Sequence, residues 1–350
     1  MKRNNFIRTM TSLRCFVIVL VFLPVVISFE NSTEHKNLET NLGLRPVFEQ
    51  LLGAKAIDDY VAHAWKRSLT EVHHTPSSTK PNRSGKKKHY SNDIFAYGPQ
   101  RFDALGPVLQ CPRSILSVFG KGDGEKHICG LRASLDRDST NAASGSGANK
   151  HKSCVIISVG GQNRWDFELS IARALPHCHI HTLDCTVYGL IPDELKKHVT
   201  FHKVCIATEN NNITGVVYNG TSEIQMDMQF MRWTDFTTTI GLTEPPDVMK
   251  MDIEGFEWSV LTDLAASTPR HLLPRSISLE LHYESSMTTL PLWNRRLRGP
   301  FEIGSWMDFM FTRGNYVLVD RNDNSHCPHC SEIVIAHIPF SKPGKGHGRR

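Results

Sequence analysis

The chain has no long hydrophobic run. Its longest, residues 15–29, is about 15 residues where a span takes about 20. No internal repeat is present, which excludes solenoids and propellers. A basic face interleaved with aromatics, the footprint of nucleic-acid binding, is missing too. The formal net charge is only +5 at pH 7, and much of that excess sits in Lys86-Lys87-Lys88 and in residues 345–350. These runs read as solvated segments rather than a nucleic-acid site. The glycine-rich turn at Gly160-Gly161-Gln162-Asn163-Arg164-Trp165 lacks the third glycine of G-x-G-x-x-G, which argues against a dinucleotide with its pyrophosphate. Cys327-Pro328-His329-Cys330 has no second Cys-x-x-Cys to complete a zinc site, although His326 and His329 are close by.

What is present begins at the N-terminus. Lys2, Arg3, Arg8 and Arg14 precede the apolar run, with no acid among them. A positive segment followed by a hydrophobic one is a targeting signal. Residues 1–29 are therefore a cleaved signal peptide or an uncleaved type II signal anchor, and either sends the rest to a lumen or outside the cell. The glycosylation acceptors Asn31-Ser-Thr, Asn82-Arg-Ser, Asn212-Ile-Thr and Asn219-Gly-Thr agree. Of nine cysteines, Cys15 lies in the leader and an even eight remain, as an oxidising compartment favours. A Cys111–Cys129 disulfide would close a hairpin whose turn is Gly120-Lys-Gly-Asp-Gly. A local Cys327–Cys330 disulfide is favoured over a redox motif, since no helix follows it.

Residues 30–92 read as a luminal stem and linker. Within it Leu51, Leu52, Ile57, Val61 and Trp65 recur at helical spacing, as a helix packing on the domain would show. Residues 93–340 form the folded domain, residues 134–153 a flexible Ser/Gly/Asn insertion and residues 341–350 a basic tail. The domain alternates apolar runs at 154–159, 180–184, 199–206, 248–252, 277–283, 316–320 and 332–336 with helical stretches near 165–175, 256–266 and 305–312. That alternation predicts an α/β, doubly wound parallel sheet with an antiparallel edge from the last pair. Residues 208–221 hold two of the acceptor motifs and read as surface.

In such a sheet ligands gather beyond the carboxyl ends of the strands. Gly160 and Gly161 follow the first core strand, and Asp184 ends the second about 24 residues later, an arrangement that binds a nucleoside. Asp252 and Glu254 leave the strand at 248–252, two apart and so on one side. Glu280 and His282 stand likewise near the end of the next strand. With neighbouring strands about 4.8 Å apart, these four side chains converge on one place.

Lys250-x-Asp252-x-Glu254-Gly255-x-Glu257, followed by Leu261, resembles the signature of the FkbM-type class I S-adenosylmethionine (SAM)-dependent methyltransferases. The wider chain is similar to the secreted or membrane-anchored methyltransferase-like proteins of animals. Gly122-Asp-Gly-x-Lys126-x-x-Cys129, Trp165-x-Phe167-Glu168, Trp233-Thr-Asp235-Phe236 and Glu280-Leu-His282 have similar counterparts there. The resemblance covers roughly residues 93–340. It implies a Rossmann-like sheet of seven strands with the last reversed, and SAM as methyl donor. By it, Gly160, Gly161 and Asn163 hold the methionine side, Asp184 takes the ribose and Ala207 flanks adenine. Asp252, Glu254, Glu280 and His282 are the catalytic candidates, with Asp252 or a neutral His282 as base. No metal ligand is assigned; a divalent cation is compatible but not expected. The acceptor is a small-molecule or glycan hydroxyl, with no nucleic-acid partner, and a membrane only through an uncleaved N-terminus. A protein that binds a glycan or protein on the same fold without turnover is the alternative.

Overall fold

A computed structural model describes residues 43–71, 103–106, 108–136, 154–218, 223–283, 300–323, 327 and 330–340. The signal segment, the acceptor motifs at Asn31, Asn82 and Asn219, the linker, most of the 134–153 insertion, the basic tail, His326 and His329 lie outside the described residues. Among the described residues no helix is long and apolar enough to cross a membrane.

The elements in chain order are α1 (Arg45–Leu52), α2 (Ala54–Glu71), the strands β1 (Leu116–Phe119) and β2 (Lys126–Cys129), β3 (Cys154–Val159), α3 (Asp166–Ala174), β4 (Cys178–Leu183), β5 (Val199–His202), β6 (Cys205–Ala207), β7 (Asn211–Tyr218), β8 (Glu223–Arg232), α4 (Trp233–Thr239), β9 (Val248–Met251), α5 (Glu257–Ser267), β10 (Ser276–His282), α6 (Pro300–Gly314), β11 (Tyr316–Asp323) and β12 (Cys330–His337). Seven strands form the central sheet in the order β11-β12-β10-β9-β3-β4-β5. The pairs among β5, β4, β3, β9 and β10 are parallel, and β12 runs antiparallel between β10 and β11. This is the doubly wound sheet that the alternation predicts, with the reversed last strand that the resemblance implies.

Both faces of the core strands are covered, which is why they read as unbroken apolar runs. Ile156, Ile180, Val199 and Val248 pack with Phe167 and Ile171 of α3. Ile157, Met249, Met251, Ile277 and Leu279 pack the other way, with Leu261 and Leu264 of α5 and Met307 and Met310 of α6. The 3.6-residue period of the predicted stem helix breaks at Gly53, whose φ of 83° ends α1. The break changes the buried set. Val47, Phe48, Ile57, Val61 and Ala64 pack against Val317, Val319, Val334 and Ala336, while Leu51 and Leu52 are exposed.

Two expectations change. The run 199–206 is not one strand: it leaves the sheet after His202, and Cys205–Ala207 pairs parallel with β8 instead. The stretch read only as surface also forms a strand: β7, exposed as expected, pairs antiparallel with β8 over Asn211–Tyr218. Together β6, β8 and β7 make a three-stranded wing outside the main sheet.

The eight cysteines pair as Cys111–Cys129, Cys154–Cys178, Cys185–Cys205 and Cys327–Cys330. Cys154 and Cys178 are register partners on adjacent parallel strands, so this bridge staples β3 to β4. It closes a loop with a sequence separation of 24. We expect Cys154→Ala/Cys178→Ala to lose about 2–4 kcal/mol of stability in urea unfolding under oxidising conditions.

Candidate active site

The register of the sheet brings the site together. Val159 is level with Leu183 on one side and Met251 on the other, and Met251 is level with Leu279. The next residue of each strand, Gly160, Asp184, Asp252 and Glu280, therefore lies in one row at the carboxyl edge. Backbone bonds extend the row: Gly160 N–H donates to Leu183 O (2.9 Å) and Asp252 N–H to Val159 O (3.0 Å).

The turn after β3 has no room for a side chain. Gly160 has φ +74°, and a Cβ there would sit 1.9 Å from the Asp252 carbonyl oxygen. Gln162 and Asn163 continue it at φ 51° and 61°, left-handed conformations unusual outside glycine. Buried Lys250 braces the turn from β9, its Nζ donating to Gly160 O at 2.6 Å. Asp184 accepts from Gln162 N–H (3.0 Å) through Oδ2, and from the Thr186 N–H (2.8 Å) and hydroxyl (2.5 Å) through Oδ1. Oδ2 keeps capacity for another donor.

The turn after β9 faces it, with Glu254 at φ 57° and Gly255 at φ 103°. Glu257, fully buried at the start of α5, accepts the N–H groups of Ile253 (2.9 Å) and Gly255 (3.0 Å) and the Nδ1–H of His282 (3.0 Å). That carboxylate shapes the whole corner.

Between the two turns opens a cleft of about 400 Å³, within the size range of small-ligand sites. Gly160, Gly161, Asp184, Ala207, Asp252 and Glu254 line it. Its outer wall is apolar and comes from the wing: Ile206, Ile213, Val216, Met228 and Phe230. Cys185 and Cys205 also line it, so a disulfide ties the loop bearing Asp184 to the strand bearing Ala207.

Three of the residues singled out from sequence stand off the cleft. Asn163 accepts Leu190 N–H (3.1 Å) and borders a small hollow behind the turn. Glu280 lies behind Asp252 and shares a hydrogen bond with it. His282 is buried below the corner, its Nε2 3.6 Å from Glu254 Oε2.

The charges follow from these contacts. Burial opposes a charged imidazole, but Glu257, Asp252 and Glu254 outweigh it and push His282 up to about 10. It is an imidazolium at neutral pH, and a neutral-base role does not suit it. Burial raises Asp252, yet Lys250 and Lys126 outweigh that and hold it low. Burial and the neighbouring Asp252 carboxylate push Glu280 up to about 7. Asp252 is thus the ionised acceptor at the cleft, with Glu280 as its proton-sharing partner. Lys126, Gln162, Thr186, Glu257 and Glu332 and the wing carry no role in the sequence reading. Lys126, Lys250 and Glu257 did stand inside the quoted motifs.

The family model described as "Methyltransferase domain" matches residues 55–337. The chain belongs to this methyltransferase family. It is a SAM-dependent methyltransferase, and the cleft fits that donor: a glycine turn without a Cβ, an acid with acceptor capacity at the end of β4, and an apolar wall for a purine. No curated protein sequence matches the chain. Among solved structures it is similar to the pyocyanin biosynthetic protein PhzM, at 14% identity and TM-score 0.29, over 53% of this chain and 51% of that one. The protein thus spans about half the length of PhzM. The Methanococcus jannaschii fibrillarin pre-rRNA processing protein aligns at 11% identity and TM-score 0.33, over 64% and 84%. A 16S rRNA (adenine-N1)-methyltransferase from Catenulisporales acidiphilia, solved with its cosubstrate SAM, aligns at 12% and 0.32, over 65% and 100%. At that likeness none of them bears on this methyltransferase's acceptor.

Gly160→Ala forces the turn away from Asp252, and we expect it to weaken SAM binding at least tenfold in calorimetry. His282 titrates in the folded protein above its ordinary value, so its stabilisation is full below about pH 6.5 and is lost as pH rises toward about 10. Urea unfolding should show His282→Gln less stable than wild type by a few kcal/mol at pH 6, with the gap closing toward pH 10.

Proposed function

We propose that this methyltransferase methylates a hydroxyl oxygen of a small molecule or glycan within the secretory pathway or outside the cell. The observation that carries the reading is the single cleft in which Gly160, Asp184, Ala207 and Asp252 meet. Bound there, SAM supplies an electrophilic methyl group, and its sulfur keeps the electron pair of the broken C–S bond. The turn at Gly160–Gly161 would hold its methionine side, Asp184 Oδ2 would accept a hydrogen bond from a ribose hydroxyl, and Ala207 with the wing would flank its adenine. Asp252, ionised and facing the cleft, accepts the proton of the acceptor hydroxyl as the new C–O bond forms. Glu280 shares that proton from behind. Alignment of the two reactants supplies much of the rate.

The acceptor class rests on the FkbM-type resemblance, whose members methylate hydroxyls of sugars and natural products. The compartment rests on the basic-then-apolar N-terminus, the acceptor motifs and the paired cysteines. Asn212 is exposed on β7, where a glycan has room.

Calorimetric titration with SAM should give one site per chain. Asp184→Ala should weaken it by about 10–100-fold, as loss of a charged hydrogen-bond acceptor does. Asp252→Asn should keep the affinity within about threefold and lose methyl transfer to a panel of hydroxyl acceptors. Absence of SAM binding overturns the cofactor site, and full turnover by Asp252→Asn overturns the base.

A further inference from the structure

The β1–β2 hairpin lies outside the sheet, yet it delivers one side chain to the row of strand ends. Lys126 is wholly buried. Its Nζ donates to Glu332 Oε1 at 2.5 Å and lies 3.9 Å from both Asp252 Oδ2 and Glu280 Oε2. Three carboxyl groups, from β12, from the turn after β9 and from β10, thus surround one ammonium. Glu280 and Glu332 are register partners on antiparallel strands, so the pairing of β10 with β12 sets two of them side by side.

Asp252, Glu280 and His282 also present an oxygen, an oxygen and a nitrogen within 4.8 Å of one another. By residue type and spacing this is a donor set that a divalent cation accepts once the His282 imidazolium gives up its proton. Acids gathered this deeply need a cation, because an uncompensated buried charge costs several kcal/mol. The hairpin's ammonium already meets that need. A second, divalent charge a few ångströms from it would be strongly repelled at any protein-like dielectric.

We propose that Lys126 is a resident cation of this cluster, a positioning residue whose ammonium stands in for a divalent metal ion beside Asp252, Glu280 and Glu332. The hairpin is fixed as that role demands. The Cys111–Cys129 bridge closes its base, and the Cys111 N–H donates to Val319 O of β11 (2.8 Å). His127 Nδ1 holds Asp320 at 2.6 Å, and Phe119 and Ile128 are buried in the core. Lys126 is thereby set on a rigid platform rather than a mobile loop, and its position follows from the fold. Its catalytic consequence rests on the reading of Asp252 as the base; the charge substitution itself does not.

Manganese binding, read by electron paramagnetic resonance on the full chain without SAM, separates the two. Wild type should bind no Mn²⁺ at this cluster. Lys126→Ala should bind one Mn²⁺ at least tenfold more tightly than wild type, and Asp252→Asn in that background should abolish it. Lys126→Arg, which keeps the charge, should behave as wild type. If Lys126→Ala does not fold, Lys126→Met/Glu332→Gln removes one charge of each sign, and should fold and bind Mn²⁺ through the remaining groups. Stoichiometric Mn²⁺ binding by wild type that Asp252→Asn abolishes overturns the proposal. So does folded Lys126→Ala, or the folded double variant, that binds Mn²⁺ no more tightly than wild type. Neither result touches SAM binding, so failure here leaves the cofactor assignment standing.

Discussion

Four parallel strands held in one register are the constraint on which the rest depends. Parallel pairing puts Val159, Leu183, Met251 and Leu279 in register, and the residues that follow them have no choice but to share an edge. A one-residue slip in any pair would turn a side chain to the other face and pull that group out of the row. The apolar runs that hold the register are therefore also what aims the polar groups. Core packing and chemistry are specified by the same residues, read one position apart.

The row is costly to build, and the molecule offsets the cost with cations rather than with solvent. Lys250 reaches under the glycine turn, Lys126 sits among three carboxyl groups, and His282 answers Glu257. Lys126 and His282 each belong to a different element from the acids they face. The cluster thus couples β2, β9, β10 and β12 as well as tuning Asp252. Such mutual dependence favours one arrangement over near alternatives, because removing any one partner strands a buried charge.

Much of the sheet was legible in the sequence, because strands buried on both faces leave continuous apolar runs with turns between them. The wing was not. In Asn211–Tyr218 the polar start, the glycine and the exposed Ile213 and Val216 look like a loop. Only the alternation Ile224, Met226, Met228, Phe230 in its partner signals a strand, and that signal is weaker than a core run. The stem helix misled for a different reason, since one glycine resets the helical phase and changes which leucines are buried. At the site, the glycines and the acids stood out because they end core strands. Lys126 did not, since a lysine in a short strand is ordinarily solvated and its three partners lie 126 to 206 positions away. His282 was read as a neutral base because its defining contact, Glu257, is 25 residues off on the preceding helix.

The bridge between Cys185 and Cys205 gives the cleft a covalent back wall, with Asp184 on one side of it and Ala207 on the other. A wall of that kind cannot serve as a door. The opposite wall, the β7–β8 ribbon, has no cysteine and lines the cleft with Ile213 and Val216, both partly open to solvent, so it is the side left free to yield. The ribbon's stiffness would then set how fast one turnover gives way to the next.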